Sequence, residues 1–587
     1  MAVAAACGNA DIARAPDAAA ATAPTLRRWP SGMVRYRMPE DLAAGERAAI
    51  QARLEAIENV TPLHFIDTHG STTGAPIELR DSVLVDRVIV HETLATASAT
   101  TPAADVIAGR PTLSPEEVNG LWRAYGQPLG SSQSGDKFGA AIAAGDFNGD
   151  GYGDVAVGVP GDDIGASDAG RVHVFRGTAG GLVPWQSIEQ SDFGGEDERG
   201  DGFGTALAAG DVDGDGDADL LVGVPREDVS AGGRTYADSG AAVLLAGGPD
   251  GFTHVRTFTQ ATTEASDERE ADLFGAAVAI GHVSGRATPD LIVGAPGERH
   301  ANAFGGSAAG GAVFVFPTSR DAGPPLTPAS RLVHSSNSGG ARFGAAIAVG
   351  RIDDDATEDL AIGAPGAGAG GRGAVFVFSG TTFVQRLAPP SASDDDFGAA
   401  VAIGDVREDA TAEIVVGAPG VATTGRVHVF AAMQPVQMVE QNGGATRGDR
   451  FGAAVTVGPL AGTAGGPHAL VVGAPGARDG AGTVSVFAAG RGSAELRDLA
   501  RLDQAQLPGG RSEAADWFGS ALAIDALDGT VIAGAWGEAP ELDARGAQGP
   551  DNAGSIAVFR GVGSGAPAGA QYSQGSATAD AGDVAVR

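Results

Sequence analysis

The sequence predicts a mainly β protein: a seven-bladed β-propeller preceded by a small α+β domain. Three observations favour this fold class. A unit headed by Phe-Gly occurs seven times, with the heads at Phe138, Phe203, Phe274, Phe343, Phe397, Phe451 and Phe518. The units recur after 65, 71, 69, 54, 54 and 67 residues, and most end in an apolar run followed by Gly-Ala-Pro or Gly-Val-Pro. The residues before about 127 contain fewer glycines and more helical spacing.

The first unit indicates four short strands joined by turns. Phe138–Gly145 consists mostly of small residues, and Asp154–Pro160 alternates valine with Ala and Gly. Arg171–Phe175 reads Arg-Val-His-Val-Phe, and Leu182–Ile188 is a weaker fourth run. Short alternating runs separated by turn residues are typical of antiparallel strands.

The small residues of the first strand favour radial packing of the sheets. Where several four-stranded sheets surround one axis, their inner strands are crowded, so that Gly and Ala are expected there. Such a ring also protects the edges of its sheets. An open solenoid is the alternative, but it needs distinct capping repeats, and the last unit still carries Phe518-Gly519. We therefore expect seven blades in a closed ring.

These residues closely resemble the FG-GAP repeats of the integrin α-subunit propeller. The motifs from Phe138-Gly139 to Gly158-Val159-Pro160 and from Phe274-Gly275 to Gly294-Ala295-Pro296 carry the resemblance. It covers roughly residues 128 to 562. The seventh unit departs from the pattern, because Gly534-Ala535-Trp536 replaces Gly-Ala-Pro.

Acidic loops follow the first strand of blades 1 and 2. Their oxygen-bearing side chains stand at loop positions 1, 3, 5 and 9: Asp146, Asn148, Asp150 and Asp154, then Asp211, Asp213, Asp215 and Asp219. Several carboxylates around one hard cation are typical of Ca²⁺ sites. Position 12 is a strand valine in both loops, which excludes an EF-hand. The pattern predicts hairpin Ca²⁺ loops, as the resemblance implies, and about two bound ions; a solvated acidic turn is the alternative.

The corresponding loops of the other blades have lost part or all of the acidic pattern. Blades 4 and 5 keep part of the pattern, with Asp353, Asp355 and Asp359, then Asp405, Asp409 and Glu413. They also contain Arg351 and Arg407, either of which would replace the cation by an internal ion pair. Blade 3 keeps only Asp290, and blades 6 and 7 have no usable set. The tripeptide Arg447-Gly448-Asp449 is interpreted as a turn preceding Phe451 and not as an adhesion motif.

Residues 25–127 resemble the two ends of a metzincin zinc-protease domain of the matrixin or astacin type. Trp29–Tyr36 is similar to its first strand, Val60–Phe65 follows a helix predicted over Leu42–Val60, and Leu113–Gly126 is similar to its last helix. The family's zinc is held by His-Glu-x-x-His and a third His. Here His91 matches one ligand and Glu92 the base, whereas Ala95 replaces the second His. We expect a degenerate domain in which zinc and hydrolysis are absent.

Composition narrows the choice of partners and compartment. The formal net charge of −34 argues against nucleic acid as a partner. No run approaches the roughly 20 apolar residues of a membrane-spanning helix. Met1–Cys7 resembles the end of a bacterial lipoprotein signal, with a possible lipid anchor at Cys7, so residues 1–24 are interpreted as a truncated leader and spacer. Residues 563–587 are interpreted as a flexible tail.

The sequence therefore predicts an extracellular or cell-surface propeller that binds Ca²⁺ and acts in adhesion, through protein or glycan ligands. Two alternatives stay open. One is a zinc-dependent metallopeptidase that uses the propeller to dock its substrate, and the other is a structural surface scaffold. The identity of the ligand does not follow from fold analogy.

Overall fold

The structure is a computed structural model. It describes three short N-terminal strands and residues 133–573 except for the following positions: 165, 232, 261–269, 302–306, 320–327, 329, 334–339, 354, 392–393, 408, 410, 421–423, 461–467, 491–493, 508–511, 538–553 and 563–567. The chain divides into two compact units. The larger, Leu129–Leu182 with Ser187–Ser576, contains nearly all of the blade residues.

Seven four-stranded antiparallel sheets confirm the predicted propeller, and in each of them the strands follow chain order. Blades 1 to 3 comprise Ala141–Gly145, Asp154–Val159, Arg171–Thr178, Gly181–Ile188; Ala206–Gly210, Asp219–Val224, Ala241–Ala246, Thr253–Thr259; and Ala277–Gly281, Asp290–Ala295, Ala312–Phe316, Ser330–Leu332. Blades 4 and 5 comprise Ala346–Gly350, Asp359–Ala364, Ala374–Ser379, Thr382–Leu387; and Ala400–Gly404, Glu413–Ala418, Arg426–Ala431, Gln434–Val439. Blades 6 and 7 comprise Ala454–Pro459, His468–Ala474, Thr483–Ala489, Leu496–Leu502; and Leu522–Ile524, Val531–Ala535, Ser555–Arg560, Ala568–Ser573.

Short additional elements lie between the strands. Two hairpins connect the second and third strands of blades 2 and 3: Val229–Ala231 with Arg234–Tyr236, and Arg299–Ala301 with Ser307–Ala309. Single turns of 3₁₀ helix occur at Gln190–Phe193, Ala369–Gly371 and Gln504–Gln506. Because neighbouring strands are antiparallel, the loops between first and second strands lie at one face of the ring. The loops between second and third strands lie at the other face.

The ring is closed, as the sequence predicts. Six of the seven Phe-Gly heads form a parallel bridge with the glycine that precedes the third strand of the preceding blade, for example Phe203 with Gly170. Phe138 of blade 1 makes the same parallel bridge with Gly554 of blade 7. The seventh head, Phe343, donates its amide to the Gly310 carbonyl oxygen at 2.9 Å. The second-strand glycines have equivalent surroundings all around the ring. A Cβ atom on Gly534 would lie 2.0 Å from the carbonyl oxygen of Gly139, so that blades 7 and 1 meet as closely as the others.

The core lies between neighbouring blades. The phenylalanine of the Phe-Gly head is fully buried and packs edge-on against the third strand of its own blade, as Phe274 does on Phe314 with ring centroids 5.4 Å apart. One cluster joins Val212, Leu244 and Phe258 of blade 2 to Phe274 and Val293 of blade 3. The repeated Phe therefore links blades as well as strands.

The inner strands differ in part from the prediction that only Gly and Ala fit there. In blades 3 to 6 the fourth residue of the inner strand is Ile or Val. These side chains pack on the glycine that ends the inner strand of the preceding blade. A Cβ atom on Gly210 would lie 3.0 Å from Ile280 Cγ2, and one on Gly350 would lie 2.6 Å from Ile403 Cγ2. Crowding therefore requires glycine at one position of the strand, while the others tolerate branched side chains.

The seventh blade extends beyond residue 562, where the sequence pattern places the end of the propeller. Its outermost strand is Ala568–Ser573, whose small and polar residues lack the alternation that signals a strand. Tyr572 lies in this strand, and its hydroxyl accepts a hydrogen bond from the Leu182 amide at 3.3 Å. Trp536, which replaces the expected proline, stacks on Trp517 with the rings nearly parallel and 5.6 Å apart.

A buried aspartate stabilises the turn before most Phe-Gly heads. Its carboxylate accepts a hydrogen bond from the amide three residues earlier, in five pairs: Asp136–Gln133, Asp201–Glu198, Asp394–Ser391, Asp449–Thr446 and Asp516–Glu513. Burial raises the pKa of Asp136 to about 7, and the pKa values of Asp201 and Asp516 to about 6.

These turn carboxyl groups predict that stability falls with rising pH. Between about pH 4 and about pH 7 the folded chain holds more protons on Asp136 than the unfolded chain, so the free energy of unfolding decreases across that window. In Asp136→Asn the side-chain amide oxygen still accepts the hydrogen bond from the Gln133 backbone amide, but the side chain can no longer take up a proton. We expect this variant to exceed wild type in stability at pH 8 by at least about 1 kcal/mol and to match it near pH 4. Guanidinium denaturation at both pH values measures this, and a variant that is less stable at pH 8 would contradict it.

The smaller unit includes Met1–Pro128. There the structure describes a parallel sheet in which Met33–Arg37 lies between His64–Asp67 and Ile77–Glu78. The predicted helices, His91, Glu92 and Cys7 lie outside the described residues. No helix in the described part of the chain is long and apolar enough to cross a membrane.

Candidate calcium loops and ligand surface

The loop of blade 2 brings three predicted ligands together. One carboxylate oxygen from each of Asp211, Asp213 and Asp215 lies within 4.8 Å of the other two, and all three side chains are exposed. Ligands on opposite sides of a Ca²⁺ ion at about 2.3–2.6 Å are about 4.6–5.2 Å apart, so this set fits a calcium ion. Among the described residues it is the one cluster of three or more such side chains with this spacing.

Hydrogen bonds within the loop hold these carboxylates in place. Asp211 accepts from the amides of Gly214 and Gly216 at 2.6 and 3.2 Å, and Asp213 accepts from the Asp215 amide at 3.1 Å. The glycines allow the tight turn, because Gly214 and Gly216 both have positive φ. The carboxylates of Asp211 and Asp213 are therefore positioned by the backbone of their own loop.

Asp219, the fourth predicted ligand, is buried beneath the loop and is not one of the three clustered carboxylates. Its two oxygens accept hydrogen bonds from the amides of Val212 and Gly247, at 2.7 and 3.0 Å. Burial raises its pKa to about 6 despite those hydrogen bonds. It connects the loop to the residue that directly follows the third strand.

The loop of blade 1 has the same plan with one neutral member. Asp146 accepts from the amides of Asp150 and Gly151, at 3.1 and 2.8 Å. Asn148 accepts from the Asp150 amide at 3.0 Å and donates from its own side chain to Asp154 at 3.0 Å. Asp154 is fully buried and also accepts from the Gly177 amide, and burial raises its pKa to about 7.

The two loops contact each other. The Ala218 amide of blade 2 donates to the Asp146 carbonyl oxygen at 2.7 Å, and the Gly248 amide donates to the Phe147 carbonyl oxygen at 2.8 Å. A Cβ atom on Gly149 would lie 2.2 Å from Asp217 Oδ1. The negative charges of both loops act on Asp217, whose pKa is raised first by desolvation and then by Asp215 and Asp146.

In blade 5 an arginine forms ion pairs with acidic residues of the loop. The Arg407 guanidinium lies 3.9 Å from the Asp409 carboxylate and 4.0 Å from that of Glu413. The Thr411 hydroxyl also donates to Asp409 and holds the pKa of that carboxyl below its usual range. Asp405 accepts from the Asp409 amide at 3.3 Å.

The blade 4 loop uses its arginine differently from the predicted ion pair. Arg351 donates to the main-chain oxygen of Asp355 at 2.6 Å. Asp353 accepts from the Asp355 amide at 2.9 Å, and buried Asp359 accepts from the Ile352 amide at 2.8 Å. Thr357 lowers the pKa of Asp355 by donating to it from its hydroxyl and its amide.

The loops of blades 3 and 7 show what sequence reasoning missed. In blade 3 both oxygens of Asp290 accept from Ser284, so a hydroxyl and an amide satisfy this buried carboxylate. In blade 7 Asp525 is buried and lies against blade 1, since a Cβ atom on Gly153 would be 1.7 Å from Asp525 Oδ2. The sequence signal for this contact is weak, because the two residues are far apart in the chain.

Asp449 of the Arg-Gly-Asp tripeptide is 2% exposed, and its carboxylate accepts from the amide and the hydroxyl of Thr446. Its carboxylate is thus engaged inside the protein, which confirms its interpretation as a turn residue.

Comparison with known proteins supports the resemblance of this propeller to the FG-GAP repeats of integrin α subunits. The FG-GAP repeat model matches residues 138–175 and 203–245, in blades 1 and 2. The chain is 30% identical to integrin alpha-IIb of Homo sapiens over 45% of its own length and 24% of that protein's, and 30% identical to integrin alpha-5 of Xenopus laevis over 38% and 20%. It is 31% identical to integrin alpha-PS2 of Drosophila melanogaster over 38% of its own length and 15% of that protein's length. The chain thus spans about a quarter or less of the length of these relatives.

Proposed function

We propose that this chain is a secreted or cell-surface adhesion protein whose propeller is stabilised by about two calcium ions and binds a protein or glycan ligand. The observation that carries the proposal is the trio of Asp211, Asp213 and Asp215 at the tip of an FG-GAP blade. Similarity to integrin α subunits over the propeller supports a ligand-binding role.

Calcium would be held by blades 1 and 2 alone. Asp211, Asp213 and Asp215 would hold one ion, with Asp219 positioning the loop beneath it. Asp146, Asn148 and Asp150 would hold the other above Asp154. The ion neutralises carboxylates that otherwise repel one another, and it stiffens two loops that already contact each other across the blade interface. In blade 5, Arg407 supplies the positive charge internally, so calcium is not expected there.

The experiment compares thermal unfolding with calcium and with a chelator, in wild type and two matched variants. Asp213 and Asp353 occupy the same loop position and each accepts one hydrogen bond from the amide two residues later. Calcium at about 100 times its Kd stabilises a folded protein by about 2.7 kcal/mol per site. We expect Asp213→Ala to lose a large part of the calcium-dependent rise in Tm and Asp353→Ala to retain all of it.

Equal losses in the two variants would mean that the effect of Asp213 is only a lost loop hydrogen bond. No calcium-dependent rise in wild type would overturn the calcium part of the proposal. Adhesion is tested separately, by the binding of labelled protein to intact cells and to immobilised glycans with and without calcium. Absence of any such binding would favour the structural-scaffold alternative.

Residues 25–127 are proposed as a degenerate protease-like domain without zinc. This proposal rests on the sequence pattern around His91 and Glu92, where Ala95 replaces a zinc ligand. Metal analysis of the purified protein tests it. Stoichiometric zinc would contradict it and would call for a peptidase assay. A lipid on Cys7 is likewise a proposal, which mass spectrometry of the membrane fraction would test.

A further inference from the structure

A cleft opens where blade 7 meets blade 1, on the face that carries the acidic loops. Its volume is about 360 Å³. One wall is the loop Gly151–Gly153 of blade 1, and the other is the loop Asp525–Thr530 of blade 7. Small-molecule sites are typically concave and of this size, with apolar walls and a few polar groups. We call this space the seam cleft.

The floor of the seam cleft contains a buried polar group. Val155, Ile532 and Val558 supply apolar surface. Among them lies Thr530, which is 4% exposed and whose hydroxyl oxygen has no hydrogen-bond partner among the described residues. A buried hydroxyl without a partner costs about 1–3 kcal/mol. The oxygen itself lies below the cleft surface, so a ligand hydroxyl would become its partner when the Thr530 side chain rotates toward the cleft.

The mouth of the seam cleft exposes an aromatic ring. Tyr152 is 47% exposed at the tip of the blade 1 loop, and Leu527 on the opposite wall is 58% exposed. Large apolar side chains on both rims of a polar cleft favour a ligand that has an apolar face. The ring of Tyr152 offers such a ligand a flat stacking surface.

Charges of both signs line the cleft and restrict the ligand. Asp525 and Asp528 are acceptors, and the Arg560 guanidinium lies 3.9 Å from the Asp528 carboxylate. An anionic ligand would meet the two carboxylates, and a cationic ligand would meet Arg560. A neutral molecule with many hydroxyls suits all of these groups, because each hydroxyl both donates and accepts.

We propose that the seam cleft binds a neutral hexopyranose, either free or at the end of a surface glycan, by stacking it on Tyr152 and hydrogen-bonding it to Asp525, Thr530 and Arg560. This inference deepens the proposed function by naming its ligand class. It places the ligand on the face of the acidic loops.

The experiment uses the full chain with saturating calcium and saturation-transfer NMR. The NMR probes are the methyl glycosides of glucose, galactose and mannose. Binding to the corresponding immobilised glucan, galactan and mannan is measured separately. Nα-acetyl-lysine amide and methyl glucuronide are the charged comparators. We expect at least one neutral glycoside to bind. Its Kd should rise roughly tenfold in Tyr152→Ala and roughly three- to tenfold in Thr530→Val.

Two controls separate binding from folding. Thr530→Val removes an unsatisfied hydroxyl, so it should not lower Tm. Phe383→Ala removes an aromatic ring of similar exposure (49%) from the outer strand of blade 4 and should leave the Kd unchanged. The protein could bind the polymers and not the methyl glycosides. If Tyr152→Ala and Thr530→Val reduce that binding, the ligand is the end of a glycan chain and the proposal is supported.

Three results would overturn the proposal: no binding of any neutral sugar, binding that Tyr152→Ala and Thr530→Val leave unchanged, or binding only of a charged comparator. The calcium-dependent rise in Tm is measured on the same samples. If that rise is present while sugar binding is absent, this inference fails and the calcium-stabilised propeller stands. If sugar binds without any calcium effect, the calcium part of the proposed function fails and this inference stands.

Discussion

Replacing Phe274 by alanine is expected to destabilise the propeller by about 3–5 kcal/mol. The side chain is fully buried and packs on Phe314 and Phe316, with ring centroids 5.4 and 6.3 Å away. It belongs to a cluster that joins blades 2 and 3, so its removal leaves a cavity where two rigid sheets meet. The shift of the guanidinium unfolding midpoint measures the loss.

Leu499→Ala is the matched control for this prediction. Leu499 is 44% exposed on the outermost strand of blade 6, where truncation opens no cavity. We expect its effect to stay within about 0.5 kcal/mol. If the two variants lose similar stability, the Phe-Gly heads do not carry the interblade core, and the account of the repeat is wrong.

Gly534→Ala is expected to cost about 3 kcal/mol or more, because its Cβ atom would lie 2.0 Å from the Gly139 carbonyl oxygen. The contact is with backbone, so relief requires blades 7 and 1 to separate. Gly223→Ala creates the same conflict inside the ring, where its Cβ atom would lie 2.0 Å from the Gly275 carbonyl oxygen. In a closed ring the two substitutions should have similar effects on Tm.

Gly180→Ala is the control that replaces a glycine without creating a steric conflict. Its Cβ atom would meet nothing nearer than Thr178 Oγ1 at 3.7 Å, so we expect a change within about 0.5 kcal/mol. A mild effect of Gly534→Ala beside a large effect of Gly223→Ala would show that blades 7 and 1 do not close the ring.

Features that are local in the chain could be predicted from the sequence. The four strands of a blade follow one another, and their valine and phenylalanine alternation is visible within about 50 residues. The position of Phe451 before its inner strand and the turn role of Asp449 follow from the same pattern. Strands without that alternation were missed, as Ala568–Ser573 shows, because their pairing partners rather than their own residues make them strands.

Contacts between blades could not be predicted in the same way. Asp525 touches Gly153 only because the ring closes, and the seam cleft has no sequence signal. In the acidic loops the sequence pointed to the carboxylates that cluster in blade 2 and to the ion pairs of Arg407 in blade 5. It did not show that Asp219 lies beneath the clustered trio, nor that Arg351 hydrogen-bonds a main-chain oxygen.

Counting bound calcium tests the central claim most directly. Equilibrium dialysis against buffered calcium, followed by metal analysis, gives the number of ions per chain. The account predicts about two for wild type, about one for Asp213→Ala, and about two for Asp353→Ala, with no zinc in any of them. No bound calcium in wild type, or an Asp213→Ala variant that keeps both ions, would contradict it.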